Sequence, residues 1–169
     1  MKIIYIFDLE GTLSNHSHRL HLLPKVSEKE ANSKDHYAAF HAAFPKDPVN
    51  NHIVNMINSF FEFNPAIILT GMMEKHRQMA VDYLDYHKVF CDSLVMRQND
   101  DFRPSPEFKL AHIKDLYKKY QFDCAVVFDD REDIVDHLTK NSIVEVVEHH
   151  PLGIDTIQKT FTIKAFKVN

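Results

Sequence analysis

The sequence predicts an α/β protein: a mainly parallel sheet with helices on both faces. Three observations carry this. Short β-branched and aromatic runs at residues 2–7 (KIIYIF), 66–69 (AIIL) and 125–128 (AVVF) each stop on a polar residue, as strands buried on both sides do. Stretches with apolar residues at helical spacing separate them. The alternation of strand and helix fills 169 residues, a length that suits one such domain and is short for two.

Taken in order, residues 2–7 form the first strand and end abruptly at Asp8. Residues 53–61 read as a helix, followed by the strand at 66–69. Residues 74–86 form a helix after Thr70-Gly71, and 93–96 (SLVM) a fourth strand before Arg97. Residues 108–120 place Leu110, Ile113, Leu116 and Tyr117 on one helical side, and 131–140 form a helix after the strand at 125–128. Residues 14–50 interrupt the alternation: polar, rich in His and Lys, and broken by Pro24, Pro45 and Pro48. Within them, 35–44 (DHYAAFHAAF) reads as a helix with Tyr37, Phe40 and Phe44 on one packing face. This insertion is expected to be a small helical cap in a single domain spanning 1–169. The tail 154–169 alternates weakly at 161–166 and is expected to add an edge strand.

Composition narrows the function. No apolar run approaches the ~20 residues of a membrane span, and Lys2 leads directly into a strand that ends on an acid, unlike a signal peptide. Cys91 and Cys124 lie far apart, which suits a reducing cytoplasm. A net charge of −4 and a pI near 6.3 argue against many phosphate contacts along duplex nucleic acid. The 12 histidines, five of them between His16 and His41, form no zinc spacing and read as solvated or packing groups. No obligate protein partner is evident.

The chemistry is expected beyond the carboxyl ends of the strands, where open parallel sheets bind ligands. Asp8 and Glu10, Thr70 and Gly71, Arg97, and Asp129 and Asp130 stand there. Gly11 and Gly71, two of only three glycines, follow strands where a tight turn or an approaching anion demands them. Asp8 and Glu10 are spaced to serve one reaction: the first attacks phosphorus, the second protonates the leaving oxygen and then activates water. A dianionic phosphate needs its charge neutralised, so Asp129 and Asp130 are read as helping Asp8 hold Mg²⁺. Thr70 and Lys109 are read as clamping the remaining phosphate oxygens. Arg97 and Arg103 either contact a nucleotide or pair with Asp100 and Asp101.

These residues resemble the four motifs of the haloacid dehalogenase (HAD) superfamily of phosphotransferases, which has a Rossmann-like sheet. FDLEGTL at 7–13 resembles its DxDGT motif, ILTG at 68–71 its Thr/Ser strand end, Lys109 its lysine, and VVFDDRED at 126–133 its acidic motif. HRLHLL near 18–23, DHYAAFHAAFPKDPVN at 35–50 and LVMRQNDDFRP at 94–104 are similar to the phosphatase domain of bacteriophage polynucleotide kinase-phosphatases. That resemblance runs from residue 3 to about 147; the FDDR stretch is also similar to deoxyribonucleotidases. It implies an aspartyl-phosphate on Asp8 and Glu10 as general acid/base. It implies Mg²⁺ on the Asp8 side chain, the Glu10 backbone carbonyl and Asp130, with Asp129 in support. Thr70, Gly71 and Lys109 would hold the phosphoryl group. Two residues depart from the pattern: Glu10 replaces the usual Asp, and Met72 stands where the phage relatives have Arg.

Three functions are therefore weighed. The first is removal of a terminal phosphate, most plausibly a 3′-phosphate, from a nucleic-acid end; no GxxxxGK[ST] loop for a kinase half is present. The second is a 5′(3′)-nucleotidase or other small-molecule phosphatase. The third is a HAD-like binding module without catalysis.

Overall fold

The computed structural model of the chain describes residues 1–33, 36–146 and 159–168. Its centre is a six-stranded sheet in the order β3-β2-β1-β4-β6-β5, formed by Ile3–Phe7 (β1), Ala66–Met73 (β2), Ser93–Arg97 (β3), Cys124–Asp129 (β4), Ile143–Val146 (β5) and Lys159–Lys167 (β6). The first four and β6 run parallel, and β5 pairs antiparallel with β6. The parallel α/β expectation is met.

Side-chain alternation in the strands builds two cores. Ile4 and Ile6 of β1, Ile67 and Leu69 of β2, and Ala125 and Val127 of β4 face one cluster. That cluster is closed by Phe108, Ile113 and Leu116 of Ser105–Tyr120 (α5) and Ile134 and Leu138 of Glu132–Lys140 (α6). Phe7, Ala66 and Ile68 face the other, covered by Ile53, Val54 and Ile57 of Asn51–Phe61 (α3) and Ala80, Tyr83 and Leu84 of Arg77–Tyr86 (α4). Helices thus cover both faces of β1, β2 and β4, whereas β6 keeps Thr162, Lys164 and Phe166 exposed on one side. Upstream of these, Glu28–Ser33 is α1 and Ala38–Ala42 is α2.

Two expectations change. The tail strand β6 is not an edge: it inserts between β4 and β5, pairing Ala125 with Ile163 and Ile143 with Thr162. The actual edge, β5, is four residues long and went unrecognised because so short a run carries little periodicity. Residues 154–158 of that tail, and Asp35 of the expected cap helix, lie outside the described residues. Gly71, secondly, does not follow its strand. Pairing with β3 slips between Thr70 and Met73, and β2 continues through the irregularity to Met73. The register shift turns the strand over the site without a positive φ at Gly71.

The described residues of 14–50 form short helical pieces, 3-10 turns at Ser17–Leu22 and Phe44–Lys46 with α1 and α2 between them, and a Ser14–Val49 bridge closes the segment. They are tied down by one buried ion pair. The Arg19 guanidinium donates to both Asp47 oxygens, Nε to Oδ1 at 2.7 Å and Nη2 to Oδ2 at 2.6 Å, and both side chains are fully buried. Phe40 lies 3.9 Å from the guanidinium carbon and Ser14 Oγ donates to Asp47 Oδ2 at 2.7 Å.

Candidate active site

β1 has β2 on one side and β4 on the other, so the chain connections diverge at its carboxyl end. That divergence opens the crevice where open α/β sheets bind ligands. Asp8 stands there, 7% exposed, at the foot of a cavity of about 400 Å³. Lys109, one turn into α5 and itself buried, donates from Nζ to Asp8 Oδ1 at 2.6 Å and also to Asp129 Oδ2. Ligand oxygens of Asp8, Asp129 and Asp130 lie within 4.8 Å of one another.

The two adjacent aspartates have different surroundings. Asp129 Oδ2 accepts from Lys109 and its Oδ1 accepts the Arg131 backbone N–H at 3.0 Å. Asp130 Oδ1 is buried without a hydrogen-bond partner, while its Oδ2 lies 3.8 Å from His16 Nε2. A buried, unsatisfied carboxylate oxygen facing two further acids is the arrangement a hard cation resolves.

The electrostatics agree. Burial holds Asp8 well above the usual carboxylate range, and Asp129 and Asp130 add to that against the pull of Lys109. Burial, then the charge of Asp129, raises Asp130. Burial by itself would lower the Lys109 ammonium, yet Asp129 and Asp8 hold it above its ordinary value. One lysine does not neutralise three clustered carboxylates, so the site favours additional positive charge.

Glu10 lines the same cavity. Its longer side chain is received by two groups from the 14–50 segment: Arg19 Nη1 donates to Oε1 at 3.0 Å, and His41 Nε2 lies 3.6 Å from Oε2. Burial raises its carboxyl although Arg19 opposes the shift. Gly11, next in the chain, has φ +99°, and a Cβ there would run into the Asp130 carboxylate and within 2.6 Å of His16 Cε1. Gly11→Ala is therefore expected to displace Asp130 and cut both Mg²⁺ affinity and turnover by tenfold or more. Gly71→Ala, whose Cβ would meet Ser105 Oγ at 3.5 Å, is expected to stay within about threefold of the parent protein. Calorimetric Mg²⁺ titration beside a phosphate-release assay checks both.

The remaining sequence-predicted residues divide. Gly71 and Arg97 line the cavity. Thr70 is fully buried behind it, and its hydroxyl accepts the Met72 backbone N–H at 3.1 Å. Arg97 is 1% exposed and braces the loop before α5, donating to the Gly71, Asp101 and Arg103 carbonyls and to Ser105 Oγ. Arg103 is exposed and pairs with Asp101, Nε to Oδ1 at 2.9 Å. Met72 is buried in the α3–α4 core. Sequence reasoning overlooked Arg19, Asp47, His16 and His41. For the two histidines the one signal was the density of His in 16–41, which reads as solvated or packing groups; Arg19 and Asp47 carried none.

An open parallel sheet with a buried Asp-Lys-Asp-Asp cluster at its switch point, and a second carboxyl two residues after the first, defines a phosphatase of the HAD type. Residues 2–148 match the family model described as the polynucleotide kinase PNKP phosphatase domain, and the chain belongs to that family. Two solved structures share the fold over the whole chain: one described as "Structure of Pnkp1/Rnl/Hen1 complex" (TM-score 0.64, 21% identity) and one as "Structure of the Pnkp1/Rnl/Hen1 RNA repair complex" (TM-score 0.60, 20% identity). The chain covers 46% and 43% of those two chains, less than half of either. No curated protein matches its sequence.

Proposed function

We propose that the chain is a Mg²⁺-dependent phosphatase that works through an aspartyl-phosphate on Asp8 and removes terminal 3′-phosphate from nucleic-acid ends. The observation that carries the chemistry is Asp8 itself. It is buried at the foot of the cavity, held by Lys109, with two further acids beside it. Membership of the polynucleotide kinase phosphatase family supports the substrate class, as does a fold relative that belongs to an RNA repair complex.

The residues present fit a divalent ion: a hard all-oxygen donor set with one orphaned carboxylate oxygen. Asp8, Asp130 and the Glu10 backbone carbonyl would hold it, with Asp129, both of whose oxygens are engaged, supporting from behind. Bound there, Mg²⁺ supplies the positive charge that lets a carboxylate approach a dianionic phosphate.

The chain's own residues then carry two steps. An Asp8 carboxylate oxygen attacks phosphorus, the bond from phosphorus to the leaving oxygen breaks, and the Glu10 carboxyl gives its proton to that oxygen. Glu10, now a carboxylate, takes a proton from water as the water oxygen attacks phosphorus. The acyl-phosphate P–O bond breaks, releasing inorganic phosphate and restoring Asp8. Lys109 works against the burial that raises the Asp8 carboxyl, and Gly71, with Thr70 behind it, would support the phosphoryl group. The raised Glu10 carboxyl suits a group that must begin protonated. Glu10→Gln is expected to slow turnover about 10²–10⁴-fold and to leave Mg²⁺ binding intact, because the backbone carbonyl remains.

The deciding assay is Mg²⁺-dependent phosphate release from a 3′-phosphorylated oligonucleotide, its 5′-phosphorylated isomer, and mononucleotides. Activity confined to 5′-phosphates would refute the 3′-end reading. A 5′(3′)-nucleotidase is the second reading, supported by a cavity at the small end of ligand sites, about 300–1,000 Å³. Inactivity on every phosphoester would leave a binding module. Among the described residues no helix is long and apolar enough to cross a membrane. Free Cys91 and Cys124 suit a cytoplasmic setting.

A further inference from the structure

Part of the cavity lining is aliphatic. Leu23, Pro24 and Val26, from the loop between the Ser17–Leu22 turn and α1, line it together with Ile134 of α6 and the rings of Tyr37 and Phe40. Leu23 and Val26 each remain 40% exposed, so apolar surface stays wet at the mouth of an otherwise charged site. Exposed apolar surface beside a reaction centre is more informative than the same groups elsewhere.

Charge on the wall points the same way. Among the described residues, each Arg or Lys lining the cavity is engaged within the protein: Lys109 by Asp8 and Asp129, Arg97 by backbone carbonyls and Ser105, and Arg131 by Asp133 at 2.7 Å. A polymer tracked through its phosphates needs cations aimed at successive phosphates. Here the lining offers hydrocarbon instead, around about 400 Å³ of space, the size of a site for one small ligand.

We infer that Leu23, Pro24 and Val26 form a leaving-group subsite for the sugar and base of a single terminal nucleotide, so that the enzyme reads one nucleotide whatever the polymer length. This rests on the phosphatase reading of the same cavity and deepens it. The two apolar side chains lose their solvent contact against the nucleoside, and binding energy remote from phosphorus is spent on orienting the ester.

The test compares a nucleoside 3′-monophosphate, a 3′-phosphorylated oligonucleotide and acetyl phosphate, which has no nucleoside. In the parent protein the two nucleotides should have kcat/KM within about threefold and the same dependence on salt. Each additional phosphate contacted would steepen the log–log slope by about 0.7. Replacing Leu23 and Val26 together by Ser should lower kcat/KM for both nucleotides about tenfold and leave acetyl phosphate within twofold. Leu23→Met with Val26→Ile should restore the nucleotide rates. Oligonucleotide preference above tenfold with a steeper salt slope, unchanged nucleotide kinetics in the Ser variant, or an equal loss on acetyl phosphate would each overturn the subsite. Binding separates this inference from the phosphatase reading. With Mg²⁺ present, the Asp8→Asn protein should bind the nucleoside 3′-monophosphate at least tenfold tighter than inorganic phosphate, and the Ser substitutions should erase the difference. Equal affinities would overturn the subsite even if the parent protein is an active phosphatase. A clear difference would support it even if the parent turns over none of the three.

Discussion

Asp8→Asn is expected to eliminate turnover, by roughly 10⁴-fold or more, while the folded protein survives. The amide keeps the shape of the side chain but cannot form the acyl phosphate, so no burst or covalent phosphoprotein should be trapped by acid quench. Stability should move the opposite way. Because burial and the neighbouring aspartates raise Asp8 in the fold, its ionised form costs stability. That contribution is favourable below the ordinary carboxylate pKa and is lost as pH rises through the raised one. The Asn protein lacks this loss. In metal-free buffer its melting temperature should match the parent near pH 4 and exceed it near pH 7. With Mg²⁺ the parent should gain more than the variant, since ligands that bind only the native state stabilise it. Full activity in Asp8→Asn would remove Asp8 as nucleophile. A lower melting temperature at pH 7 would mean that Asp8 is net stabilising through Lys109.

Arg19→Ala carries the second large effect, on both stability and rate. It leaves the Asp47 carboxylate buried with the Ser14 hydroxyl and the His18 ring, Nε2 at 2.9 Å, as its remaining side-chain partners among the described residues. Breaking a buried pair in this way costs about 3–5 kcal/mol, which for a domain of this size lowers the melting temperature by roughly 6–20 °C. Glu10 also loses the donor that holds Oε1, and misplacement of a catalytic group by about 1 Å costs on the order of 10²-fold. Scanning calorimetry and steady-state kinetics measure the two parts. Arg19→Met with Asp47→Leu separates them. Removing both charges should recover most of the stability, but the rate should stay low because Glu10 Oε1 then lacks its Arg19 donor. Recovery of the rate as well would show that Arg19 acts on the fold alone. Its role is positioning: it touches Glu10, not substrate.

Strands β1, β2 and β4 were legible because parallel strands covered on both faces concentrate β-branched residues into runs that stop on polar groups. Asp8, Lys109, Asp129 and Asp130 were legible for a related reason. They stand where a buried strand ends or a helix begins, and three of them carry charge where a chain seldom buries it without purpose. Short β5 and the insertion of β6 were not legible, since sheet order depends on long-range pairing that a local pattern does not encode.

The buried polar partners within residues 14–50 were not legible for the same physical cause. A polar side chain on a solvated face and one in a buried ion pair have the same letter, and only the fold brings Arg19 to Asp47, 28 positions away. The sequence by itself determined the parallel sheet and the acidic chemistry at its carboxyl edge, because burial writes those into local composition. The tertiary structure alone decided how Glu10 is held, why Asp130 rather than Asp129 has an oxygen to spare, and that Leu23, Pro24 and Val26 line the same cavity as the acids. Each depends on contacts between segments distant in the chain, whose energies exist only once the chain has folded.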